Sequence, residues 1–145
     1  DDDFLGVQTY ERTYIGPSGP VDTPASTPRR ADGKPYEPEA IGGSIRYTHK
    51  ATGKPILVTE NGIDATDDAE RARFIPAAIA AVEAARRDGI PVLGYIHWSL
   101  LDNFEWLSGY KPRYGLVAVD RTTFKRTVKP SAHVLGGIAQ AGGAR

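Results

Sequence analysis

Pro55-Ile56-Leu57-Val58-Thr59-Glu60-Asn61-Gly62 is the stretch on which the fold turns. Ile56 to Thr59 is continuously apolar or β-branched, without polar alternation, as in a strand buried on both faces of a parallel sheet. Downstream, Asp67-Asp68 predicts the cap of a helix running to about Asp88, with Phe74, Ala78, Ile79, Val82 and Ala85 at helical spacing and Gly89 at its end. Pro76 falls inside that pattern and predicts a kink or a restarted helix. A second apolar run, Pro91 to Trp98, follows. Strand, helix and strand with short joins make a βαβ unit and hence a parallel sheet.

Upstream, Phe4-Leu5-Gly6-Val7 reads as a further buried strand, followed by the polar and aromatic Gln8-Thr9-Tyr10. Residues 16–38 hold six of the 11 prolines together with Gly16, Gly19 and Gly33, the composition of a long surface loop. Glu39 to Lys50 predicts a short helix weakened by Gly42-Gly43, with Ile41, Ile45 and Tyr47 inward and Gly53 as its stop. Beyond Trp98, Leu116–Val119 and Thr123–Val128 predict a small hairpin, and Ser131–Ala141 a closing helix. Three parallel strands cannot close a barrel and leave two edges unprotected, so the chain reads as part of a larger α/β structure. Its opening, Asp1-Asp2-Asp3 with neither Met nor a basic-then-apolar signal segment, fits entry into the middle of a longer protein.

The 145 residues carry 18 Lys+Arg against 18 Asp+Glu, which leaves no global attraction to nucleic acid or anionic membrane. With no Cys there is no disulfide framework, thiolate nucleophile or Cys-based zinc site. No apolar run approaches the roughly 20 residues that span a bilayer.

Two places carry chemistry. Glu60 stands where an apolar strand ends, and the carboxyl ends of barrel strands line active sites. Taken alone, Glu60 reads more readily as a solvated loop acid with Asn61-Gly62 a plain turn. Trp98-Ser99-Leu100-Leu101-Asp102-Asn103-Phe104-Glu105-Trp106 also follows a buried strand and holds both Trp residues. Indole faces stack on pyranose C–H faces and carboxylates grip vicinal hydroxyls, so this segment suits a sugar site as well as it suits core Trp packing beside an acidic loop. Tyr10, just past a strand, places a phenol near the same mouth, or a buried structural Tyr. His97 reads as a core or supporting group, because no second His or Cys stands at ligand spacing. His49 and His133 fall on helix surfaces. Gly136-Gly137 has no preceding strand to make a phosphate loop. Lys125-Arg126 and Arg86-Arg87 read as solvated charge.

Taken together these segments resemble family 1 glycoside hydrolases, the β-glucosidase family. The likeness rests on Ile56 to Gly62 and Trp98 to Trp106, extended by Gly109-Tyr110, Arg113-Tyr114-Gly115-Leu116 and Lys129-Pro130-Ser131-Ala132. It implies an α/β chain that supplies βα units six to eight, the C-terminal part of a (β/α)8 TIM barrel, with residues 1–145 a portion of one barrel domain. It implies retaining hydrolysis of terminal β-D-glucosidic bonds, with Glu60 the nucleophile, Tyr10 its phenolic hydrogen-bond donor, Trp98, Glu105 and Trp106 holding the glycone, and Tyr114 near the glycone wall. Gln8 and Thr9 depart from the family's Asn-Tyr. Glu105 favours a neutral sugar, since an acid beside a phosphate repels it.

The family's acid/base Glu lies in a Thr-x-Asn-Glu-Pro motif, and no Asn-Glu-Pro occurs in these 145 residues. The expected partners are therefore a β-glucoside or cello-oligosaccharide substrate and an N-terminal barrel segment, separate or nicked, without which the chain is inactive. No cofactor, metal, nucleic acid or membrane is implied, and a cytoplasmic location is favoured. The rival readings are an inactive sugar-binding or structural fragment and a phospho-β-glycosidase segment. Lys111 invites the latter without the rest of a phosphate-binding pattern.

Overall fold

The computed structural model describes residues 2–142. Strands β1 (Leu5–Gln8), β4 (Ile56–Asn61) and β5 (Val92–His97) form one parallel sheet in the order β1-β4-β5. Between β1 and the helix α1 (Ala40–Thr52) lies the proline-rich segment, and α2 (Asp68–Arg87) crosses from β4 to β5. A hairpin of β6 (Val117–Val119) and β7 (Arg126–Val128) then leads into α3 (Pro130–Gln140). No helix among the described residues is long and apolar enough to cross a membrane.

The core lies between one face of the sheet and α1 and α2. Ile56 and Val58 are fully buried there against Ile41, Ile45, Phe74, Ala78 and Val82. The opposite face of β4 is only half covered, at Leu57 and Thr59. Burial on both faces, expected from the apolar run, is therefore met on one, because three strands do not curl round to cover their own concave side. Tyr47 is 77% exposed, against the inward position expected of it. At 100° per residue it stands well round the helix from Ile41 and Ile45.

The segment expected to be all loop contains an antiparallel hairpin, β2 (Tyr14–Gly16) with β3 (Gly19–Val21), and an isolated bridge between Arg29 and Pro35. Its anchor is Glu37, which is buried and accepts from the Tyr14 hydroxyl at 2.7 Å and from Arg12 Nη1 at 3.2 Å. The break expected at Pro76 is absent: α2 runs unbroken from Asp68 to Arg87. Pro76 sits on the exposed face, so the carbonyl that loses its intrahelical donor is on the solvent side. Phe74, Ile75 and Ala78, all buried, hold both halves to the core. The cap is as read, with Asp67 accepting from Ala69 N at 2.9 Å. Ser131 ties α3 to α2, donating from N and Oγ to the two oxygens of Asp68 at 2.8 and 2.7 Å.

Candidate active site

The carboxyl end of the sheet sets the geometry. Register slips between Val7 and Gln8, so that Gln8 lies opposite Glu60 instead of Thr59. That bulge lets β1 and the residues just past it address the Glu60 carboxylate. Gln8 Nε2 donates to Oε1 at 2.8 Å, and the Tyr10 hydroxyl donates to Oε2 at 2.6 Å. Each oxygen thus accepts one bond from the chain and keeps a lone pair. Burial, reinforced by the carboxylate it faces, pushes the Tyr10 phenol far above its ordinary value, so it remains a donor across the working pH range.

Asn61, which the bare sequence left as half of a plain turn, is the last residue of β4 and is buried. Its Nδ2 donates to Thr9 O at 2.6 Å, and its Oδ1 accepts from the Tyr95 hydroxyl at 2.8 Å. One amide therefore laces the ends of all three strands together, directly behind Glu60. Gly62 lets the chain turn away: a Cβ there would strike the carbonyl of Trp98, whose amide is bonded to Asn61 O at 2.9 Å.

His97 is buried, with Nδ1 3.3 Å from the Tyr95 oxygen and Nε2 without a hydrogen-bond partner. The supporting position expected of it holds, but only one ring nitrogen is satisfied. Burial, helped by the charge of Arg71, pulls its pKa down to about 4, so the ring is neutral near pH 7.

From the end of β5 the chain enters the tryptophan segment. Trp98 Nε1 donates to Glu105 Oε1 at 3.0 Å, which leaves the other carboxylate oxygen for a ligand. Glu105 N bonds Gly109 O at 2.7 Å, closing a loop in which Trp106 takes φ 49° and is 82% exposed at the rim. Tyr114 meets the Tyr10 ring edge-on, with centroids 5.8 Å apart. Burial and the nearby Asp64 and Glu105 charges raise its phenol.

Tyr10, Glu60, Trp98, Glu105, Trp106 and Tyr114 together line a single cavity of about 310 Å³. These are the six residues singled out from the sequence, gathered from positions up to 104 apart in the chain. Lys111 does not line it. Gln8 and Asn61 are the supports that sequence reasoning missed. Their signal was the family departure at Gln8 and the position of Asn61 at a strand end. The lining combines indole faces, which can stack on a pyranose C–H surface, with two carboxylates, which can accept from hydroxyls.

A family model described as glycosyl hydrolase family 1 matches residues 9–144. A solved structure, the unliganded β-glucosidase 1317, is 51% identical and superposes with a TM-score of 0.92 over 99% of this chain and 36% of its own. β-Glucosidase A of Thermotoga maritima is 32% identical over 97% of this chain and 35% of its own length. A chloroplastic galactolipid galactosyltransferase of Arabidopsis thaliana is 34% identical over 97% of this chain and 23% of its own. The chain thus spans about a third or less of the length of these relatives.

Proposed function

The chain belongs to glycosyl hydrolase family 1, and from that premise we propose that it carries the nucleophile and the glycone wall of a retaining β-glycosidase acting on β-D-glucosides, cello-oligosaccharides included. Its α/β fold, a three-stranded portion of a (β/α)8 barrel, supplies βα units six to eight of one barrel domain. The observation that carries the reading is the Glu60 carboxylate, held by Tyr10 and Gln8 in a cavity walled by Trp98, Glu105, Trp106 and Tyr114.

In this mechanism a glycoside seats its C–H face on indole and its hydroxyls on Glu105. Glu60 attacks the anomeric carbon as the glycosidic bond breaks, and the leaving oxygen takes a proton from a second carboxyl about 5–5.5 Å from the first. Water then displaces Glu60, giving its proton to the second carboxylate, and configuration is retained overall. Tyr10 and Gln8 steady the carboxylate before attack. The second carboxyl belongs to five further βα units, on a separate or nicked N-terminal segment. With that segment present the site is complete; without it the chain is inactive. A neutral glycone is favoured over a 6-phosphorylated one, since Glu105 stands in the cavity and Lys111 does not.

Incubation with a 2-deoxy-2-fluoro glucoside bearing a good leaving group, in the presence of the complementary segment, tests the reading. Mass spectrometry of the peptides is expected to find the sugar on Glu60. Sugar binding without labelling would sink the catalytic reading and leave a sugar-binding or structural fragment.

A further inference from the structure

A second cavity, of about 450 Å³, lies elsewhere in the molecule and shares no lining residue with the Glu60 site. Its walls are the entry into α2, the 110–113 segment and the β6–β7 hairpin. Three carboxylates border it, and each accepts hydrogen bonds from the chain. Asp68 is held by Arg71 and by both donors of Ser131. Asp102 accepts from Lys129 Nζ at 2.9 Å and Gly115 N at 2.8 Å. Asp120 accepts from Thr122 N, Thr123 N and Thr123 Oγ1 within its own turn.

The cations are in the opposite condition. Arg113 and Lys125 line the cavity, and their side chains make no hydrogen bond or ion pair among the described residues. Arg121 has no carboxylate partner either. It donates to the carbonyl of Asp102, and its guanidinium carbon lies over Tyr110, 4.2 Å from the ring centroid. Arg71 at the cavity floor is fully buried, and its Nε is without an acceptor. Unpaired cations on a convex surface are ordinary. Here they line a concavity in which Asp68 and Asp102 are already paired with Arg71 and Lys129, beside the positive end of a 20-residue helix.

We infer that this cavity binds a dianionic phosphate monoester group carried by a small polar molecule. Arg113, Arg121 and Lys125 line the cavity with three cationic groups, a charge that a dianion matches better than a single carboxylate does. The volume leaves room for a polar moiety beyond the charged group. The site is independent of the Glu60 chemistry, and it differs from a phosphorylated glycone subsite in sharing none of the sugar-facing residues. Lys125, which reads in the sequence as plain solvated charge, lines the cavity from the turn of the β6–β7 hairpin.

The test is calorimetric titration of the purified protein with inorganic phosphate, sulfate and glucose 6-phosphate at constant ionic strength. Saturable binding is expected for all three. A tighter fit for the ester identifies an esterified ligand, and equal binding the free oxyanion as sufficient. Arg113→Ser and Lys125→Ser, both at exposed positions, are each expected to weaken binding about tenfold or more. Arg87→Ser, an exposed cation away from the cavity, is expected to leave it unchanged. No saturable binding at about 10 mM ligand, or equal loss in Arg87→Ser, would overturn the inference.

Discussion

On the proposed mechanism the Glu60 carboxylate is the reacting group, and Tyr10 and Gln8 aim it. Replacing it by Gln removes the nucleophile and keeps the shape; the amide oxygen still accepts one of the two donor contacts, and the amide nitrogen cannot accept the other. Turnover in the assembled enzyme is expected to fall by at least about three orders of magnitude, with assembly by native mass spectrometry unchanged. Gln8 is subtler. It gives one hydrogen bond to a charged acceptor, of the order of 1.5–3 kcal/mol, so Gln8→Leu is expected to lower kcat/KM about ten- to hundredfold. If the two variants were indistinguishable from the parent in steady-state kinetics, the assignment of roles around Glu60 would fail. Of the six cavity residues, Tyr10, Glu60 and the Trp98–Trp106 group were legible because they follow apolar strands, and Tyr114 only through the family resemblance. Gln8 was not, because its reach to Glu60 depends on a register slip between β1 and β4 that no local pattern announces.

Elements show where local rules yield to packing. Pro76 predicts a break, yet burial of Phe74, Ile75 and Ala78 around it keeps α2 whole. The penalty is still present, so Pro76→Ala is expected to stabilise the protein by about 1–2 kcal/mol, the helix-interior cost less the entropy proline removes from the unfolded chain. A rise in denaturant midpoint with unchanged slope would register it. The helix caps and stops were readable from Asp67, Gly53 and Gly89, whereas the β2–β3 hairpin was hidden among prolines because its anchor, Glu37, acts over more than twenty residues. At the β5 end His97 gives a pH signature. Its folded pKa near 4 lies below the ordinary 6.5, so the unfolded chain binds the proton first. Stability is full above about pH 6.5 and is lost as pH falls toward 4, by about 3 kcal/mol at most. His97→Leu should flatten that part of the curve in urea melts taken across the window; an unchanged slope would mean the ring stays solvated.

For the whole molecule, the decisive fact is a parallel sheet of three strands with β1 and β5 both at its edges. Leu93 and Ile96 of β5 are 58% and 53% exposed, so apolar surface accompanies the unpaired backbone. Such an edge needs covering, and the relatives, about three times as long, have the chain length for a closed barrel. The same deficit appears in the chemistry. Retaining hydrolysis needs a second carboxyl opposite the nucleophile, and the Asn-Glu-Pro that carries it in the family is missing from these residues. The exposed sheet edges and the proposed mechanism therefore call for the same complement. Mixed with a polypeptide providing five further βα units, the chain is expected to form a one-to-one heterocomplex by native mass spectrometry. The complex should hydrolyse an aryl β-glucoside, and the separated chains should not. Hydrolysis by this chain alone at ordinary enzyme rates would overturn the division of labour, because Glu60 would then have found its acid partner within these 145 residues.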